Sequence, residues 1–119
     1  MHKILIVVAT SLILGACADL RTAPAPGISV YKYVGSKQCN GGGVRLETMM
    51  RQLSTAGVPV MNVSCGTDGR MYPAMCGAPD GRIGILEIPE SKVNAAAALG
   101  FAPLSNLPDA SKTVCPKTP

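Results

Sequence analysis

The sequence predicts an α+β fold, a small two-layer sandwich, and three observations predict it. Segments rich in β-branched residues recur at 28–34, 58–65 and 82–88. Between the first two, Leu46, Met49, Met50 and Leu53 form the i, i+3, i+4, i+7 stripe of an amphipathic helix. Beyond residue 17, four cysteines (Cys39, Cys65, Cys76 and Cys115) read as two disulfides. The expected order is strand–helix–strand–(strand)–strand–helix, an antiparallel meander with two helices.

Each element has a local justification. Residues 28–34 (Ile-Ser-Val-Tyr-Lys-Tyr-Val) alternate in part and combine β-branched with aromatic side chains, as strands do. Gly41-Gly42-Gly43 then breaks the chain, and a helix is expected over 44–56. Gly57 stands where a helix C-terminal cap is wanted. The next strand covers 58–65, with Pro59 near its start, where strands tolerate it. A short middle strand is expected at 70–76 and a further strand at 82–88. Ser91 is placed to cap a second helix over 92–99, whose four alanines (Ala95 to Ala98) allow close approach to a sheet. Gly100 ends that helix, and Phe101 is placed to fold back on its last turn.

The chain has 119 residues, 47% apolar, 15% charged and only 3% aromatic, which bounds it to one small ordered domain. Without Trp and with Phe101 as the single Phe, the core is aliphatic. A net charge of +4 with so few aromatics gives no basis for nucleic-acid binding.

The amino terminus carries a targeting pattern. A short basic start, Met1-His2-Lys3, precedes an aliphatic run over 4–14, too short for the ~20 residues of a membrane span but suited to a signal peptide. Leu14-Gly15-Ala16-Cys17 closes it and resembles the lipobox of bacterial lipoproteins. The resemblance implies cleavage before Cys17 and attachment of lipid to its thiol. The new amino terminus then takes a further acyl chain such as palmitate. Several chains anchor far more firmly than one, at ~0.8 kcal/mol per buried CH₂.

This divides the sequence into a signal peptide (1–16), a lipidated Cys with an Ala/Pro tether (17–27) and a stapled domain (28–119). The alternating Ala-Pro of the tether favours extended polyproline II. The chain resembles the small envelope lipoproteins of proteobacteria. Because Ala18 rather than Asp follows Cys17, the resemblance implies the outer membrane, facing the periplasm. Cleavage after Ala18 instead implies a soluble periplasmic or secreted protein.

One echo crosses the middle of the chain. Cys65-Gly66-Thr67-Asp68-Gly69-Arg70 is followed by Cys76-Gly77-Ala78-Pro79-Asp80-Gly81-Arg82. Each Asp-Gly-Arg is a turn signal, because Gly accepts positive φ and Asp bonds its own backbone. In a regular meander Cys65 and Cys76 lie at opposite ends of the middle strand, too far apart to bridge. In a strand–helix–strand unit Cys39 and Cys65 lie at one side. Cys39–Cys65 with Cys76–Cys115 is therefore favoured. If Pro73 prevents the middle strand, Cys65–Cys76 with Cys39–Cys115 takes precedence, and the third pairing stays open behind both.

Few chemistries fit. His2 is the only histidine and leaves with the leader, which removes the usual base of nucleophilic catalysis. Glu47, Glu87 and Glu90 read as solvated carboxylates, and Gly41-Gly42-Gly43 lacks the Lys-Ser/Thr of a P-loop. There is no Cys-x-x-Cys, and Asp68 and Asp80 lack the EF-hand spacing.

Met71 and Met75 beside Tyr72 have soft-metal chemistry, although Met49, Met50 and Met61 read as core filler. No enzyme activity, metal or cofactor is expected. The candidate interaction turn comprises Asp68, Arg70, Met71, Tyr72, Asp80 and Arg82. The expected role is non-catalytic binding or structural support of another envelope protein. The alternatives are an inhibitor or immunity-type protein acting through the 66–81 turns, or a copper or small-ligand binder using Met71 and Met75.

Overall fold

The computed structural model describes residues 26–117; the leader, Cys17 and nearly all of the tether lie outside them. The fold is α+β. One antiparallel sheet of five strands has the order β4-β1-β3-β2-β5. The elements are β1 (Gly27–Tyr33), α1 (Leu46–Thr55), β2 (Asn62–Thr67), β3 (Arg82–Pro89), α2 (Val93–Ala98), β4 (Ala102–Pro103) and β5 (Ser111–Thr113). Single 3₁₀ turns occupy Glu90–Lys92 and Leu104–Asn106.

The sequence of β3 explains its central place. It is the most continuously apolar strand, and both of its faces are covered. Leu86 and Ile88 pack with Val30 of β1 against Met49, Leu53, Ala96 and Phe101 from the helical layer. Ile83 and Ile85 point the other way, toward Leu107, Leu104 and Tyr31. The first cluster is the main core and is aliphatic except for Phe101. At Gly84 a Cβ would stand 2.5 Å from the Met49 sulfur, so α1 lies close to the sheet because this position has no side chain.

Both helices end as their glycines predict. After α1 the N–H of Val58 donates to the carbonyl of Leu53 (2.9 Å) and that of Gly57 to Ser54 (3.1 Å), with Gly57 at φ 79°. After α2 the same Schellman pattern joins Phe101 to Ala96 (3.1 Å) and Gly100 to Ala97 (3.0 Å). Val58, Leu53, Phe101 and Ala96 are all buried, so each cap also closes an apolar contact. Lys32 joins the two helices: its Nζ donates to the Leu99 carbonyl (3.0 Å) and to Gln52 (3.3 Å), and sits 5.0 Å from the Phe101 ring centre.

Several expectations are corrected. Ser91 makes no capping hydrogen bond and sits inside the 3₁₀ turn before α2. The strand expected from residue 58 begins at Asn62, because Val58 is consumed by the helix cap. The middle strand expected at 70–76 does not form. Pro73 falls in that segment, and 68–81 is a loop joining β2 directly to β3. β4 and β5, of two and three residues, are too short to show a period.

The disulfides are Cys39–Cys76 and Cys65–Cys115, with Cα atoms 5.1 Å apart in each. Neither favoured pairing forms. β1 and β2 do run in the same direction, but β3 is inserted between them. Cys39 therefore meets the 68–81 loop. Cys65 lies inside β2 opposite Thr113 of β5, which brings Cys115 within reach.

Candidate functional site

The two Asp-Gly-Arg segments close on each other at one end of the sheet. In each, the Asp side chain accepts a hydrogen bond from the Arg backbone N–H two residues on. Asp68 Oδ1 accepts from Arg70 at 2.9 Å and Asp80 Oδ1 from Arg82 at 3.1 Å. They are Asx-turns, and the backbone N–H of Asp68 donates to the Gly81 carbonyl (2.9 Å), locking one to the other. Gly81 has φ 73°, and a Cβ there would stand 2.6 Å from the Tyr72 ring and 2.7 Å from Asp68 Oδ1. Both conformation and space call for glycine.

Asp68 is the buried centre, with 1% of its surface exposed. Its Oδ2 accepts from the hydroxyl of Tyr33 at 3.0 Å and from that of Tyr72 at shorter range. Burial by itself raises a carboxyl pKa. Here the hydrogen bonds from Tyr72, the Arg70 backbone and Tyr33, with the Arg70 charge, outweigh it and hold Asp68 below the usual carboxylate value. The same bond, with burial and the Asp68 charge, pushes the Tyr72 hydroxyl up to about 12. Tyr33 is raised as well, by burial first and then by Asp68. Asp80 is tied by the Ser36 hydroxyl at 2.6 Å and by the Arg82 side chain at 3.6 Å.

A second clamp holds the outer part of the loop. The Gln38 side-chain amide donates to the carbonyls of Pro73 (2.8 Å) and Pro79 (3.1 Å), and its oxygen accepts from the Met75 N–H (3.1 Å). Backbone bonds Gln38 to Ala78 (2.9 Å) and Gly77 to Gln38 (3.0 Å) complete it, beside the Cys39–Cys76 bridge. Cys39 itself adopts φ 67°, the one non-glycine residue at positive φ among the described residues.

Of the expected interaction residues, Arg70, Tyr72, Asp80 and Arg82 line one cavity of about 310 Å³. Asp68 supports it from beneath through the two tyrosines. Met71 stands apart and is 100% exposed, with Met75 at 63%. Sequence reasoning missed Tyr33, Ser36, Lys37 and Gln38, which complete the site from the other side. Tyr33 ends β1 and the other three follow it, and Tyr33, Ser36 and Gln38 lie more than thirty residues from their partners. Ordinary Tyr, Ser, Lys and Gln at that separation carry no local signal.

A larger groove of about 730 Å³ adjoins the cavity, between Gly41-Gly42-Gly43 and the tail at 113–117. Among the described residues no group of three or more His, Cys, Asp or Glu is placed to hold a metal ion. In comparisons with protein-family models, curated proteins and solved structures, the chain matches none.

Proposed function

We propose that the protein is a lipid-anchored envelope binding module, without catalysis of its own, that docks a protein partner through the exposed methionines of the 68–81 loop. The observation that carries this reading is Met71. It is a fully exposed apolar side chain on a loop fixed by a disulfide, the Gln38 clamp and the Asp68 bonds. A loop already ordered loses little entropy on binding, and a flexible thioether adapts to an apolar partner surface. The lipobox at Leu14 to Cys17 and the Ala/Pro tether support an anchor at the outer membrane, with the domain reaching into the periplasm.

The test is site-specific photocrosslinking in cells expressing the full chain. A photoreactive residue at Met71 is expected to give a discrete adduct, one at Lys112 none, and Asp at Met75 is expected to abolish it. Absence of the Met71 adduct, or its survival in the Met75→Asp background, overturns the docking reading. If the partner is an enzyme, assaying it with and without this protein decides whether docking inhibits it. For the anchor, Cys17→Ser is expected to lose palmitate labelling and leave the membrane fraction; unchanged labelling would sink that part.

A further inference from the structure

We propose that the cavity beside the paired Asx-turns binds a carboxylate carried on an apolar body. Lys37, Arg70 and Arg82 all line it. Among the described residues the one ion pair is Arg82 with Asp80, at 3.6 Å, so Lys37 and Arg70 are unpaired there. The two nearby carboxylates are already engaged. Asp68 accepts from Tyr33, Tyr72 and the Arg70 N–H, and Asp80 from Ser36 and the Arg82 N–H.

The neutral polar groups are committed too. Ser36 gives its hydroxyl to Asp80, and both tyrosines give theirs to Asp68. What Tyr33, Tyr72 and Pro79 offer the cavity is therefore ring surface. The lining leaves cations for one anionic group and apolar walls for the rest of the ligand. A planar carboxylate matches the fork of a guanidinium, whereas a phosphate would set further charged oxygens against the tyrosine rings. About 310 Å³ is at the small end of ligand sites, room for a single ring and its carboxylate.

This inference does not rest on the docking reading, since Met71 is not part of the cavity. Amide NMR spectra of the full chain in nonionic detergent micelles provide the test, with benzoate, benzamide and inorganic phosphate as probes. Benzoate is expected to give saturable shifts at Tyr33, Lys37 and Arg82 in the millimolar range or tighter. The double variant Arg70→Ala/Arg82→Ala is expected to weaken it by about tenfold or more, as loss of charge-assisted bonds implies. Lys37→Glu, an exposed change on the opposite wall, is expected to weaken it without altering the rest of the spectrum. Binding of benzamide as tightly as benzoate overturns the role of the cations. Phosphate binding as tightly as benzoate overturns the carboxylate assignment. Non-saturable shifts with every probe overturn the site.

Discussion

The backbone N–H of Asp68 donates to the carbonyl of Gly81, 2.9 Å away, and this one bond sets two like turns side by side. Because the bond is made by backbone, the side chains of both turns are left to build the site. Asp68 turns inward to the tyrosines, while Arg70 and Arg82 are exposed and line the cavity.

Removing the Asp68 carboxylate is expected to be costly. Asp68→Ala strands the Tyr33 and Tyr72 hydroxyls and the Arg70 N–H, and a loss of about 2–4 kcal/mol is expected from hydrogen bonds to a buried charge. Tyr72→Phe removes one of those bonds and is expected to cost about 1–2 kcal/mol. Urea unfolding monitored by circular dichroism gives both values. An Asp68→Ala midpoint equal to that of the unaltered protein would contradict the arrangement.

Stability is expected to fall at both ends of the pH scale. Folding lowers the Asp68 pKa, so the unfolded chain binds more protons as pH drops below the usual carboxylate value of 3.8. The Asp68 contribution is therefore full above that value and lost as pH falls through the lower folded value. Folding raises Tyr72 from 10.0 to about 12, so its contribution is full below 10 and lost between 10 and 12. Ultraviolet titration of the tyrosinate band should show one group ionising near 12 that disappears in Tyr72→Phe.

The disulfides are directly readable by peptide mapping. Trypsin places the four cysteines in separate peptides, 38–45, 52–70, 71–82 and 113–117. Without reduction, 38–45 is expected joined to 71–82, and 52–70 to 113–117. Loop closure over separations of 37 and 50 residues implies about 4 kcal/mol of stabilisation from each bridge. Replacing Cys39 and Cys76 together with Ser is expected to open the 68–81 loop to proteolysis at Arg70 while β2 and β3 stay protected from hydrogen exchange.

Gly84 is expected to resist even alanine. The added methyl group would meet the Met49 sulfur at 2.5 Å and a Leu46 methyl at 3.0 Å, forcing α1 off the sheet. Gly84→Ala is predicted to cost about 1–3 kcal/mol as overpacking. Gly57→Ala is an informative comparison. Its Cβ meets nothing within 4 Å, so any loss there reports the strain of φ 79° alone. Thermal unfolding of the two variants separates crowding from backbone strain.

The sequence by itself determined the α+β class, α1 through its Leu and Met stripe, both helix ends through Gly57 and Gly100, and the use of four cysteines as two bridges. These are local matters, in which side-chain period and the φ freedom of glycine act within a few residues. It also marked the two Asp-Gly-Arg segments as turns, because an Asx hydrogen bond spans only two residues. Tertiary structure alone decided that β3 lies between β1 and β2, and with it the partners of all four cysteines. It alone brought Tyr33, Ser36, Lys37 and Gln38 to the loop. Strand order follows from burying both faces of the most apolar strand. That free energy belongs to the assembled sheet, and no single segment carries it.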